Sequence, residues 1–324
     1  MHTRRSILKT AGTAVLAAGA ASTLPLSASA KAPFAARQAP AFYRLKLGAV
    51  EVTALSDGTI SLPLAKLYRN TTETEATAAL AAAFQGSPTE TSVNAFLVNT
   101  GDRLVLIDAG TGAYLGPSLG HLVANIEASG YSPADIDDVI LTHVHTDHSG
   151  GLAIDGKRVF ENATLHVNQR EAAFWQDPAE QQKAADAVKT QFTQAHDALT
   201  PYIEAGRFET FDDDSDVLPG FGSVLRAGHT PGHSAIVVES QGRKIVFWGD
   251  ITHGDVLQFD QPDVAIEFDH DKDAAIAARA KAFDEAVAEG YLVAGAHIAF
   301  PGIGHVRRDD IQFDWVPFNY GQTL

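Results

Sequence analysis

Hydrophobic and polar positions along the chain fall into strand-like and helix-like stretches that come in two rounds, strands before helices. Residues 47–55 and, after Asp57-Gly58, residues 59–64 read as strands. Residues 93–98 and 103–107 are apolar runs joined by Asn99-Thr100-Gly101-Asp102, a hairpin signal. Leu119, Leu122, Val123 and Ile126 then share one helical face. Residues 138–141 read as a buried strand that delivers the chain into His143. Between Pro178 and Tyr202, apolar residues recur every three or four positions (Ala184, Val188, Phe192, Ala195, Leu199, Tyr202), predicting one long amphipathic helix. In the second round, residues 223–227, 235–240 and 244–248 are strands, the last two linked by a Gln241-Gly242 turn. Ile276, Ala280, Phe283 and Val287 define a final helix before a strand at 291–294. No repeat and no composition break divides the pattern. It fits two packed sheets with helices outside, a four-layer α/β arrangement.

Composition narrows this further. A chain of 324 residues with 45% hydrophobic content can bury a sizeable core. Mean hydropathy is -0.05 and charge is evenly spread, which argues against disorder. The absence of Cys excludes disulfides, thiolate metal ligands, iron–sulfur clusters and Cys nucleophiles. With 24 basic and 40 acidic residues the net charge is -16, so the chain has no basic composition for nucleic acid or an anionic membrane surface. The start reads as an address. Thr3-Arg4-Arg5-Ser6-Ile7-Leu8-Lys9 is close to a twin-arginine export pattern, an Ala-rich apolar stretch covers 11–26, and Ala28-Ser29-Ala30 is a small-x-small cleavage site. The expectation is a signal peptide over 1–30, a flexible leader over 31–40 and a catalytic domain over 41–324, periplasmic or secreted and free of the membrane after cleavage. Removing residues 1–30 takes away three basic residues and no acids, leaving a net charge of -19.

Candidate chemistry sits in short segments at strand ends. The densest is Thr142-His143-Val144-His145-Thr146-Asp147-His148-Ser149, with three His and one Asp within six residues. Imidazole and carboxylate donors suit zinc and similar divalent ions. In a loop leaving a strand, His143 and His145 can point one way while Asp147 and His148 turn toward a neighbouring ion. Gly228-His229-Thr230-Pro231-Gly232-His233 offers two more imidazoles, Trp248-Gly249-Asp250 a carboxylate, and Gly295-Ala296-His297 a late imidazole. Each alone is a weak signal, but together they complete two metal shells.

In this order, H-x-H-x-D-H, then G-H-T-P-G, G-D and a late His, the chain resembles the metallo-β-lactamase superfamily. Residues 49–63, 90–120, 239–250 and 295–306, the last with Phe300-Pro301-Gly302-Ile303-Gly304-His305, are similar to its methyl parathion hydrolase and aryl-lactonase branch. The resemblance implies an αββα sandwich with a dinuclear site between the sheets. It implies that His143, His145 and His229 hold one metal, Asp147, His148 and His297 the other, and that Asp250 bridges them. His229 is then the ligand of its pair and His233 a supporting residue. Asp108, in Ile107-Asp108-Ala109-Gly110, matches an Asp that orients the ligand loop. Two divalent ions, zinc first with manganese, cobalt or iron as other occupants, would share an activating hydroxide.

The implied activity is hydrolysis of lactones, either aryl lactones or the acyl-homoserine lactones of quorum signalling, and of activated esters. Organophosphate triesters form the alternative main substrate, and an exported, non-catalytic metal-binding protein is the alternative of another class. His253 stands where the aryl-lactone side of the family has a His, which would donate to a planar lactone oxygen and crowd a tetrahedral phosphotriester. Asp250 doubles as a proton acceptor. Leu67, Leu115, Trp175, Phe192, Ile266 and Phe268 match wall positions of the family's substrate pocket, although Phe192 also fits the buried stripe of its own helix. Expected partners are a small-molecule lactone or ester and, as in relatives, a second copy of the chain.

Overall fold

The computed structural model describes residues 38–323, together with Ala32, Phe34 and Ala35. The export signal expected over 1–30 and part of the 31–40 leader lie outside the described residues. Among the described residues, two seven-stranded sheets carry the fold. The first runs in the order Phe42–Leu47, Val50–Leu62, Thr89–Asn99, Leu104–Ile107, Asp138–Ile140, Thr164–Asn168 and Phe208–Phe211. Its pairings are antiparallel as far as Leu104–Ile107 and parallel beyond. The second runs Asp216–Leu218, Phe221–Leu225, Ser234–Ser240, Arg243–Gly249, Leu292–Gly295, Ile303–Asp309 and Gln312–Pro317. Only Arg243–Gly249 and Leu292–Gly295 pair in parallel there.

Strand residues are apolar on both faces because each sheet is covered on both sides. In Leu104–Ile107, Val105 and Ile107 enter the core between the sheets, where Phe96 meets Phe247 with ring centroids 5.2 Å apart. Leu104 and Leu106 face the other way, onto a core shared with Ile126, Phe192, Leu199 and Tyr202. Outside the second sheet, Val246, Trp248 and Val293 pack on Ala282, Phe283 and Ala286 of the helix Lys272–Glu289. These layers are helix, sheet, sheet and helix, as the pattern implied.

Two local readings are corrected. Asp57-Gly58 is not a turn between strands but an irregularity within Val50–Leu62, and the hairpin turn lies at Gly48-Ala49. The reason is tertiary. The fully buried Asp57 carboxylate accepts N–H groups from Thr111, Gly120 and Leu122, so the chain passes straight through while its side chain anchors the 108–122 loop. The predicted single helix is broken at Ala184-Ala185 into Pro178–Lys183 and Asp186–Glu204. Its first segment buries no residue, so no apolar contact holds it in line with the second.

The topology gathers the candidate chemistry at one edge. Parallel strands end on the same side, so Asp108 and His143 leave the first sheet together, as do Asp250 and His297 from the second. Ser234–Ser240 runs antiparallel to Arg243–Gly249, which brings the loop before it, with His229, to that side. The Ser234 N–H donates to the Thr142 carbonyl at 2.9 Å, joining the two edges. Among the described residues, no helix is long and apolar enough to cross a membrane.

Candidate metal centre

The segment after Asp138–Ile140 bends at Thr142, reaches an extended His145 and then enters a helical turn, Thr146–Ser149. Extended backbone puts residues two apart on one side, so His143 and His145 converge, whereas the turn swings Asp147 and His148 onto another side. Two donor sets result. His143 Nε2 lies 3.0 Å from His145 Nδ1, which lies 2.9 Å from His229 Nε2. His297 Nε2 lies 3.3 Å from Asp147 Oδ2, and His148 Nε2 3.7 Å from the same oxygen. Asp250 stands between the sets. Its Oδ2 is 3.1 Å from His229 Nε2 and 3.7 Å from His143 Nε2, while its Oδ1 is 3.0 Å from His148 Nε2 and 3.2 Å from His297 Nε2.

Outer nitrogens set the direction of the rings. His148 Nδ1 donates to Asp108 Oδ2 at 2.8 Å, His229 Nδ1 to Asp269 Oδ1 at 2.9 Å, and His297 Nδ1 to the Ser92 carbonyl at 2.9 Å. Thr142 Oγ1 donates to Asp108 and accepts from His143 Nδ1 at 3.1 Å. In the neutral rings each Nε2 is therefore a bare lone pair aimed inward. Imidazole lone pairs and carboxylate oxygens crowded at such distances repel unless a cation lies among them. The buried His148 Nε2 and Asp250 Oδ1 both lack a hydrogen-bond partner, the signature of a missing positive charge. The donor atoms of each set lie within 4.8 Å of one another. This cluster fits divalent metal binding.

Electrostatics agree. Burial works against the charged form of every ring, yet Asp250 and Asp269 outweigh it and hold His229 up at about 9. Asp250 and Asp147 likewise hold His297 up at about 10, and His148 is held well above its ordinary range by Asp250, Asp147 and Asp108. His143 and His145 are pushed well down by burial and by the neighbouring rings. Burial also opposes ionisation of Asp250, but the surrounding imidazoles keep it well below the usual carboxylate range. Carboxylates around three of the rings thus favour positive charge at this place, the charge a divalent ion would bring.

Residues 88–295 match the family model of the metallo-beta-lactamase superfamily. The chain belongs to that superfamily. Its fold matches the crystal structure of AbOPH, a hydrolase in the beta lactamase superfamily, at 36% identity and a TM-score of 0.85, covering 88% of this chain and all of that one. It also matches AidC, a dizinc quorum-quenching lactonase solved with a product, at 26% identity and a TM-score of 0.81, covering 87% and 99% of the two chains. Among curated relatives, an N-acyl homoserine lactonase of Bacillus cereus is 24% identical over 126 residues. That match spans 39% of this chain and 42% of the relative.

This superfamily member keeps His233 out of the donor set. Its Nδ1 donates to the Arg226 carbonyl at 3.2 Å and its Nε2 accepts the Asp250 N–H at 3.0 Å, so the ring fixes the backbone that carries Asp250. Burial pushes it down to about 3, keeping it neutral for both bonds. Gly249 permits this approach, since a Cβ there would stand 2.7 Å from His233 Nε2 and Thr142 Oγ1. His253 turns Nε2 to Asp250 Oδ2 at 3.2 Å and leaves a buried Nδ1 without a partner. Trp175 is buried with its ring edge-on to His145 at 5.5 Å, and Phe192 packs behind it at 4.7 Å within the helical core. Ile266 is buried and the partly buried Leu67 packs on the same cluster, whereas Leu115 and Phe268 are exposed, Phe268 lying 5.8 Å from His253.

Sequence reasoning missed Asp269 and Glu171. Asp269 Oδ2 accepts the Ile266 N–H at 2.9 Å while its Oδ1 holds His229, but it sits in the acidic run 267–273, where nothing distinguishes it. Glu171 did leave a signal, a lone acid one helical turn before Trp175 on an apolar stripe with Ala172.

Proposed function

We propose that the chain is a dinuclear metal-dependent hydrolase of lactones and activated esters. The observation that carries this reading is Asp250, whose two carboxylate oxygens each face a different buried donor set. His143, His145, His229 and Asp250 Oδ2 would hold one divalent ion, and Asp147, His148, His297 and Asp250 Oδ1 the other. Zinc is the leading candidate, supported by the N and O donors and by the dizinc AidC. When bound, such ions supply Lewis acidity toward a carbonyl oxygen and lower the pKa of water toward neutrality.

The chain's own residues do the rest. Asp108, Thr142, Asp269 and the Ser92 carbonyl hold the imidazoles at fixed angles, so no reorganisation accompanies the reaction. His253 Nε2, 3.2 Å from Asp250 Oδ2, can hold a proton at that pair and give it to the leaving oxygen as the carbon–oxygen bond breaks. Phe268 offers apolar surface near His253 for an acyl or aryl group. A lactone substrate is further supported by the lactonase activity named for AidC and for the Bacillus relative.

The test is a kinetic panel on metal-assayed protein: an aryl lactone, an acyl-homoserine lactone, an aryl ester and a phosphotriester. Two ions per chain with lactone turnover ahead of the others is the expected result. Loaded protein inert toward all four would instead mark a metal-binding protein without catalysis. Export over the twin-arginine route rests on Arg4-Arg5 and Ala28-Ser29-Ala30. Terminal sequencing of exported protein should begin at Lys31.

A further inference from the structure

The helix Gln169–Gln176 lies against the donor loops and presents to them a carboxylate that is 0% exposed, Glu171. Its Oε1 accepts the Val144 N–H at 2.9 Å and the Trp175 indole N–H at 2.7 Å, and its Oε2 accepts the Gly232 N–H at 2.9 Å. Val144 lies between His143 and His145, while Gly232 lies between His229 and His233. Those two loops belong to different sheets, and this one carboxylate joins them. Gly232 makes the approach possible, because a Cβ there would stand 2.3 Å from the Glu171 backbone nitrogen.

An acid at this place is a costly way to fill a core, since burying a charge is repaid only by full hydrogen bonding. Three converging N–H groups repay it, and they need an acceptor-only side chain with two oxygens. A glutamine of the same shape would oppose one N–H with its own NH₂. We propose that Glu171 is a positioning residue that sets how the His143–His145 loop sits relative to the His229 loop. This rests on the reading that those imidazoles hold metal.

The test uses the full chain with Glu171→Gln, which keeps the shape, and Glu171→Asp, which keeps the charge but shortens the reach. In zinc-free protein, amide exchange at Val144 and Gly232 should speed up together in both Glu171 variants, while Asn94, beside the His297 support, stays at its wild-type rate. Zinc affinity should fall about 10–100-fold, the usual cost of losing a group that orients ligands. The visible spectrum of the cobalt-substituted protein should shift in both Glu171 variants. Wild-type exchange rates at both amides, or wild-type zinc affinity with an unchanged cobalt spectrum, would overturn the proposal. Should Glu171→Gln fail to fold, Glu171→Asp carries the same readings. A wild-type protein that takes up no zinc overturns the metal reading, and the exchange arm still decides whether Glu171 joins the loops.

Discussion

Around Asp250, the rings of His143, His148, His229 and His297 each have the outer nitrogen engaged, and each ring is buried. The expected substrate wall is held far more loosely at its outer edge: Leu115 is 47% exposed and Phe268 38%. Leu115 also sits in the left-handed region at φ 62, an uncommon place for a Leu. The difference separates two tasks. Candidate donors that would meet a cation within tenths of an ångström are held by hydrogen bonds at their outer nitrogens, whereas a wall that accepts an apolar group by burial tolerates looser packing.

Substitutions should reproduce that gradient. Asp250→Asn removes the one group shared by both donor sets. It should cost about 10²–10³-fold in turnover, the scale of deleting a group that supports transition-state charge. Near-wild-type turnover with two ions bound would remove the distinction between centre and wall. Stripping metal with a chelator comes next. Ligand binding at 1,000 times its Kd contributes about 4 kcal/mol, so calorimetry should show the melting temperature falling by several degrees. An unchanged value would mean the donors are stable without a cation.

His253 borders both regions, and its replacement should show intermediate behaviour. His253→Leu should lower lactone turnover about tenfold while sparing phosphotriester turnover, because an apolar side chain loses the hydrogen bond but leaves space. Equal losses in steady-state kinetics would place His253 wholly with the donors. The smallest effect belongs to the wall. Phe268→Ala should raise KM for an aryl lactone about threefold with kcat held, as expected when only uniform binding is lost. A matching fall in kcat would show that the wall is as finely placed as the centre.

The candidate donors of residues 143–148 were legible in the sequence because the geometry that gathers them is local. His143 and His145 converge through the two-residue alternation of extended chain, and the next turn redirects Asp147 and His148. The four layers were legible because the spacing of apolar residues reports which faces are covered. His229 and His233 share one turn and look equivalent in the sequence. The family pattern named His229, and packing turns that ring toward Asp250 Oδ2 and His233 onto the Asp250 backbone. Asp57 and Asp269 were beyond local reading for the same reason, and the signal at Glu171, an acid on an apolar stripe, did not say what it meets. Each is an acid whose meaning lies in N–H groups that tertiary folding brings to it. Short-range periodicity determined the elements and the candidate ligands. The long-range meeting of two sheet edges decided which carboxylate spans the donor sets and which side chains hold the imidazoles in place.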